Sequence, residues 1–198
     1  MNLSPPKARD EAGPESERRP AFLSAWRWWL PPSCVALLLA FVFRDPFIGD
    51  WDGLDYTVLS LQGRPSTMAL GRGLFIFFNH ALYGLARAVS GLRPENAYLL
   101  FKYAVIAESF LAVAACWALA REVTDSERKA TVAALLVATS PTFVVYGGQV
   151  MTDVPSLLLL VPAILFYLRG VRRKSLWLMI AGAALLGADV NVRETAAF

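Results

Sequence analysis

The sequence predicts an all-α protein, a polytopic transmembrane helical bundle with an amphipathic juxtamembrane helix in its first outer loop. Three observations support this prediction. Apolar residues make up 56% of the 198 residues and aromatic residues make up 12%. The mean hydropathy is +0.46, which is high for a soluble domain of this length. The apolar residues also form several runs near the length that a bilayer crossing requires.

The net charge of +3 does not indicate a nucleic-acid partner. The basic residues stand beside apolar runs, which is typical of membrane topology signals and not of a surface that follows a phosphate backbone. The two cysteines, Cys34 and Cys116, both lie inside apolar runs and therefore indicate neither a disulfide nor a metal site. We expect the bilayer to be a partner of this chain and nucleic acid not to be.

The chain divides into a short tail and a membrane domain. Residues 1–25 are predicted to be a disordered cytoplasmic tail, because polar residues and prolines dominate its first 20 positions. Residues 26–198 are predicted to be the N-terminal part of a transmembrane domain. Its first span, about 27–43, begins in a tryptophan-rich segment typical of a membrane interface, and its shortness also fits an uncleaved signal anchor.

An outer loop is predicted over residues 44–95. Its first part, as far as Ser66, is rich in polar and turn-forming residues and is predicted to be irregular. From Arg72 to Ser90, polar residues recur at nearly helical spacing opposite apolar ones, which predicts a helix lying in the membrane interface. The polar positions are Arg72, Asn79, His80, Tyr83 and Arg87, and the apolar positions are Leu74, Phe75, Phe78, Leu82 and Leu85.

Four further spans are predicted at about 96–120, 130–146, 153–168 and 176–192. The short connections after the second and fourth spans are rich in Arg and Lys, which places them in the cytoplasm. Because successive spans cross the membrane in alternating directions, three segments are then outside: the loop 44–95, the segment 147–153 and the end of the fifth span. Polar groups from all three, including Asp189, Arg193 and Glu194, are then expected to converge on the outer face. Because a span ends so close to residue 198, we also expect the sequence to be a fragment.

An aspartate cluster is the most conspicuous polar feature of the outer loop. Asp50, Asp52 and Asp55 lie beside Trp51 and Tyr56. Carboxylates in this position can act as a general base or hold a divalent cation, because poor solvation near an apolar boundary raises a carboxylate pKa. Aspartates also serve ordinary turns and helix N-caps, and local spacing alone favours that explanation.

Ionisable residues at the ends of the spans are further candidates. Asp153 precedes Pro155, so it is explained equally well as a helix cap and as a functional acid. Lys102 and Glu108 are expected to face the bundle interior. Lys102 is a candidate for contacting a lipid phosphate, whereas a structural contact to another span is favoured for Glu108. Arg193 suits a phosphate partner by its geometry, although an interfacial arginine often only snorkels.

His80 is the single histidine of the sequence. A metal site needs several ligands, so a structural role is favoured, and the alternative is that His80 joins Asp50 or Asp52 at a cation. The sequence contains no GxxxxGK[ST], GxSxG or HExxH motif. A nucleotide-driven mechanism and the corresponding hydrolase mechanisms therefore have no support.

The order of these features resembles the GT-C glycosyltransferases, and most of all their protein mannosyltransferase and aminoarabinose transferase group. In that family an Asp in the first outer loop, followed four residues later by Tyr, is the base or a metal-associated acid. The resemblance therefore implies this role for Asp52 with Tyr56, and Asp50 is the second candidate. Gly53 departs from the pattern, since many members carry Glu there. The resemblance covers about residues 30–198 and rests on Gly49-Asp50-Trp51-Asp52-Gly53-Leu54-Asp55-Tyr56, Thr139-Ser140-Pro141 and Thr152-Asp153-Val154-Pro155.

The resemblance implies an inverting transfer of a sugar from a polyprenyl-phosphate donor to a glycan, lipid or protein acceptor, outside the plasma (inner) membrane. Asp153 matches the family's acid at the outer end of the fourth span, and Arg193 its later basic residue. Lys102, Arg193 or a divalent cation would neutralise the phosphate. Asp50, Asp52 and His80 are the candidate cation ligands, and no other cofactor is implied. The alternative is a non-enzymatic membrane protein, such as a transporter half or an assembly subunit.

Overall fold

A computed structural model describes residues 25–44, 51–65 and 72–193, and all regular structure within these ranges is helical. The all-α prediction is therefore confirmed. Residues 1–24 of the predicted tail, Asp50 and Glu194 lie outside the described residues, so the expectations for them stay predictions. The described helices are α1 Trp26–Val42, α2 Trp51–Gln62, α3 Gly73–Ser90, α4 Ala97–Thr124, α5 Glu127–Ala138, α6 Pro141–Gly147, α7 Asp153–Arg173 and α8 Leu176–Val190, with a 3₁₀ turn at Pro94–Asn96 before α4.

Two helices are long and apolar enough to cross a membrane. One is α4 with its preceding 3₁₀ turn, 31 residues together, and the other is α7 with 21 residues. The pair α5 and α6 passes the same test only if its two bent members form one span, and α1 and α8 are shorter apolar helices. The protein is therefore a multi-pass membrane protein, and the five separate crossings remain a prediction.

The third predicted span is interrupted, which corrects the expectation of one helix over 130–146. α5 ends at Ala138, α6 begins at Pro141, and the two are bent by 65°. Proline restricts the residue before it to extended conformations, and Ser140 has φ −60° and ψ 128°. The proline ring thus ends the first helix and starts the second.

Residues 51–62 form α2, which corrects the expectation of an irregular loop. The buried positions of α2, namely Gly53, Tyr56, Thr57 and Ser60, recur at helical spacing, and most are small or carry a hydroxyl group. Hydropathy therefore gave no signal of a buried face. Thr57 satisfies its hydroxyl by donating to the carbonyl of Gly53 at 2.7 Å, and Asp52 in the first turn interacts favourably with the helix dipole.

The helix α4 forms the centre of the bundle, where it packs against α1, α5 and α7. Its side chains Phe101, Val105 and Val113 are fully buried. The most extensive helix pair is α7 with α8, and Gly182 allows this close approach. A Cβ atom at Gly182 would lie 2.8 Å from the backbone oxygen of Ala163.

The two ends of the bundle carry different charged groups. At one end, Glu122 accepts hydrogen bonds from Arg169 Nε at 2.7 Å and from Arg172 Nη1 at 3.0 Å. These contacts join the last turn of α4 to that of α7. The two basic connections predicted to share one side of the membrane are therefore at the same end of the bundle. The opposite end holds the start of α7 and the end of α8.

Candidate functional site

An ion pair joins the start of α7 to the chain that follows α8. Arg193 Nη1 donates a hydrogen bond to Asp153 Oδ1. The backbone turns back at the end of α8, since the amide of Arg193 donates to the carbonyl of Asp189 at 2.8 Å. Two residues predicted separately as site candidates therefore meet. A guanidinium carries five N–H donors, and the arginine side chain is 42% exposed, so it can bind an anion while it stays near Asp153.

A second carboxyl group lies beneath this ion pair. Asp189 is 0% exposed, Ser156 of α7 lies near its carboxyl group, and the charge of Arg193 acts on it. Neither carboxyl oxygen makes a hydrogen bond of good geometry within the described residues. Sequence reasoning placed Asp189 at this face but did not single it out as a site residue. The available signal was an acidic residue at the end of an apolar run.

Asp52 and Tyr56 lie one turn apart on α2, as the four-residue spacing requires once the segment is helical. Asp52 is exposed, whereas Tyr56 is only 2% exposed and packs edge-on against Phe75, with ring centroids 5.6 Å apart. Burial raises the pKa of Tyr56 to about 12, although the Arg72 guanidinium, 5.1 Å from its ring centroid, opposes the shift. The phenol therefore stays protonated and can serve as a hydrogen-bond donor but not as a base.

The start of α2 lies against the segment that leads into α7. A Cβ atom at Gly53 would lie 3.5 Å from the carbonyl oxygen of Val150 and 3.8 Å from the ring of Tyr98. Lys102 is 1% exposed, and its ammonium group lies 4.6 Å from the centroid of the same tyrosine ring. Lys102 thus faces the bundle interior, as predicted. Asp52, the residue before Gly53, is brought to the end of the bundle that carries Asp153.

His80 caps the end of α2. Its Nδ1–H donates to the carbonyl of Ser60 at 2.7 Å, and its ring lies over Gly63, where an added Cβ atom would be 3.0 Å from it. This arrangement accounts for His80 as a structural residue. In residues 25–44, 51–65 and 72–193, no three His, Cys, Asp or Glu side chains are close enough to hold a metal ion. Since Asp50 lies outside these ranges, the cation site remains a prediction.

An apolar cavity of about 280 Å³ lies between α3, α4 and α7. Glu108 contributes the acidic group of its lining, and within the described chain its Oε2 atom has no hydrogen-bond partner. The contact to another span that we favoured for Glu108 is thus not found for that atom. Pro155 and Val192 also line the cavity, which places it beside the ion pair of Asp153 and Arg193.

The family model of dolichyl-phosphate-mannose-protein mannosyltransferases matches residues 85–198, more than half of the chain. The matched range contains Lys102, Asp153 and Arg193, whereas Asp52 and Tyr56 precede it. No curated protein and no solved structure matches the chain significantly.

Proposed function

Since the chain belongs to the dolichyl-phosphate-mannose-protein mannosyltransferase family, we propose that it transfers a sugar from a polyprenyl-phosphate donor to an acceptor at the extracytoplasmic face. The observation that carries this proposal is the ion pair of Asp153 and Arg193, which lies beside an apolar cavity lined by their chain neighbours Pro155 and Val192. A lipid-linked sugar needs an apolar surface for its chain beside a cation for its phosphate, and this end of the bundle supplies both.

Arg193 is the proposed ligand of the donor phosphate. A guanidinium can donate two parallel hydrogen bonds to a phosphate, which makes it the best-suited side chain for this anion. Asp153 orients the guanidinium until the donor binds. Lys102 adds a buried positive charge at the same end of the bundle. A divalent cation held by Asp50 and Asp52 would supplement this charge, whereas His80 keeps its structural role at the opposite end of α2.

Asp52 is the proposed general base, and Asp50 is the second candidate. The hydroxyl oxygen of the acceptor attacks the anomeric carbon as the bond from that carbon to the phosphate oxygen breaks. The acceptor proton passes to the carboxylate, and the electron pair of the broken bond leaves with the phosphate, whose charge Arg193 stabilises. Asp52 suits this role because it is exposed on a helix packed beside the start of α7.

The test compares two aspartates of α2 that differ in their proposed role. Asp52→Asn in the full chain is expected to lower sugar transfer by about 10²–10³-fold, a loss typical of removing one well-placed catalytic group. Asp55→Asn is the matched control, because Asp55 is also exposed on the same helix. Transfer is measured in membranes with a radiolabelled polyprenyl-phosphate sugar. Near-wild-type transfer by the Asp52 variant at equal expression would exclude Asp52 as the base.

The cavity around Glu108 is the observation that favours the alternative, a transporter half. Transporters place ionisable groups near the middle of the bilayer, and Glu108 occupies such a position in α4. An activity that depends on Glu108 and is indifferent to Asp52 and Asp153 would replace the transferase proposal with this one.

A further inference from the structure

Arg44, the last described residue after α1, contacts aromatic rings of two helices. Its guanidinium carbon lies 4.0 Å from the ring centroid of Phe41 in α1 and 5.6 Å from that of Tyr103 in α4. The two rings stack on each other with an interplanar angle of 25°. Cation–π contact with both rings restricts the arginine side chain, so its N–H groups are presented in a fixed position.

An apolar groove of about 390 Å³ runs between α1 and α4 directly below these rings. Its α1 side contains residues from successive helical turns, and many of its side chains are exposed. In a multi-pass membrane protein, an exposed apolar groove along two helices is open to lipid chains. The groove is lined by Cys34, Leu37, Leu38, Phe41, Tyr103, Ile106 and Ala107.

The guanidinium at the end of this groove needs an acceptor. Nη1 of Arg44 is buried and has no hydrogen-bond partner within the described residues. A buried N–H group without a partner costs free energy, which an anionic oxygen would recover. Gly148 lies behind the arginine, since a Cβ atom there would be 3.2 Å from Arg44 Cα. The side chain therefore has backbone on one side, aromatic rings on another, and the groove below.

The length of the groove indicates the kind of lipid. From Cys34 to its end at Val42, α1 rises by about 12 Å at 1.5 Å per residue, and the two residues up to Arg44 extend this distance to about 15 Å. This is about half of the ~30 Å hydrocarbon core, which is the depth of a single leaflet. An acyl chain of a bilayer phospholipid matches that depth, whereas a polyprenyl chain is much longer.

We infer that Arg44 and this groove bind one anionic glycerophospholipid, with the phosphate on the guanidinium and an acyl chain between α1 and α4. A lipid with one net negative charge complements the single positive charge of Arg44. This site is separate from the ion pair of Asp153 and Arg193, and the inference does not rest on the proposed transferase activity.

The test measures binding of dioleoyl phosphatidylglycerol to the delipidated full chain by native mass spectrometry. Arg44→Gln removes the charge and is expected to weaken binding about tenfold or more, because the phosphate loses a charge-assisted hydrogen bond. Arg27→Gln is the matched control, because Arg27 also makes a cation–π contact, 5.8 Å from the Trp28 ring centroid, at the opposite end of α1. The control is expected to bind within twofold of the wild type.

A second variant tests the groove without changing the arginine. Ala107→Trp fills the groove from α4 and is also expected to abolish tight binding, so the test does not depend on correct folding of Arg44→Gln. Circular dichroism verifies the fold of each variant. Unchanged affinity of a folded Arg44→Gln, an equal loss in Arg27→Gln, or equally tight binding of phosphatidylcholine would overturn the inference. Displacement by short-chain polyprenyl phosphate at lower concentration than by free phosphatidylglycerol would instead assign the groove to the sugar donor.

Discussion

The residue most informative about function is Arg193, because its ion pair with Asp153 connects two helix ends that the sequence separates by 40 positions. The side of the membrane on which Arg193 lies could be predicted from the sequence, because the positive-inside rule implies that the fifth span ends on the outer face. The buried carboxyl group of Asp189 could not be predicted as part of the site, because a sequence gives no measure of how far α7 and α8 bury one another. Asp189 thus adds a buried carboxyl group beneath the proposed phosphate ligand.

Arg193→Gln is expected to raise the KM for the polyprenyl-phosphate donor by about tenfold, since the phosphate loses a charged, two-pronged hydrogen-bond donor. The matched control is Arg172→Gln. Arg172 also donates through Nη1 to one carboxylate, that of Glu122, but at the opposite end of the bundle. Each exposed ion pair contributes at most about 1 kcal/mol to stability, so both variants should remain folded. Equal donor KM values for the two variants would remove Arg193 from the binding site.

At the scale of the elements, the long apolar runs predicted α4 and α7 well, because their length and hydropathy are direct requirements of a bilayer crossing. The same reasoning missed α2, whose buried face is made of small and hydroxyl-bearing residues. It also missed the break before Pro141, because the average hydropathy of the whole segment stays high across the short polar stretch 139–142. Such features depend on local backbone geometry, and geometry contributes nothing to a hydropathy average.

The pairing of α7 with α8 depends on Gly182, because backbone atoms of α7 occupy the space of its missing side chain. A Cβ atom would lie 2.8 Å from Ala163 O and 3.1 Å from Tyr167 N. Gly182→Ala is therefore expected to destabilise the bundle by about 1–3 kcal/mol, the usual cost of overpacking. Gly187→Ala on the same helix has open space around it and should be neutral or slightly stabilising. Thermal unfolding in detergent, followed by tryptophan fluorescence, distinguishes the two, and equal midpoints would contradict the packing argument.

At the scale of the whole molecule, the charged groups sort to opposite ends of the bundle. The end with Glu122, Arg169 and Arg172 carries the basic connections, and the end with Asp153 and Arg193 carries the candidate site. The positive-inside rule assigns the first end to the cytoplasm. The candidate site would then face outward, as the proposed transfer at the extracytoplasmic face requires.

This orientation is testable with two matched cysteine variants in a chain whose native cysteines, Cys34 and Cys116, are replaced by serine. Ser90 and Thr124 are both exposed near the end of a helix, and each donates its hydroxyl to the carbonyl four residues earlier. A membrane-impermeant maleimide added to intact cells is expected to label Ser90→Cys directly, because the loop 44–95 is predicted to be outside. Thr124→Cys should react only after permeabilisation. The reverse pattern would put the ion pair of Asp153 and Arg193 in the cytoplasm, where an extracytoplasmic transferase could not use it.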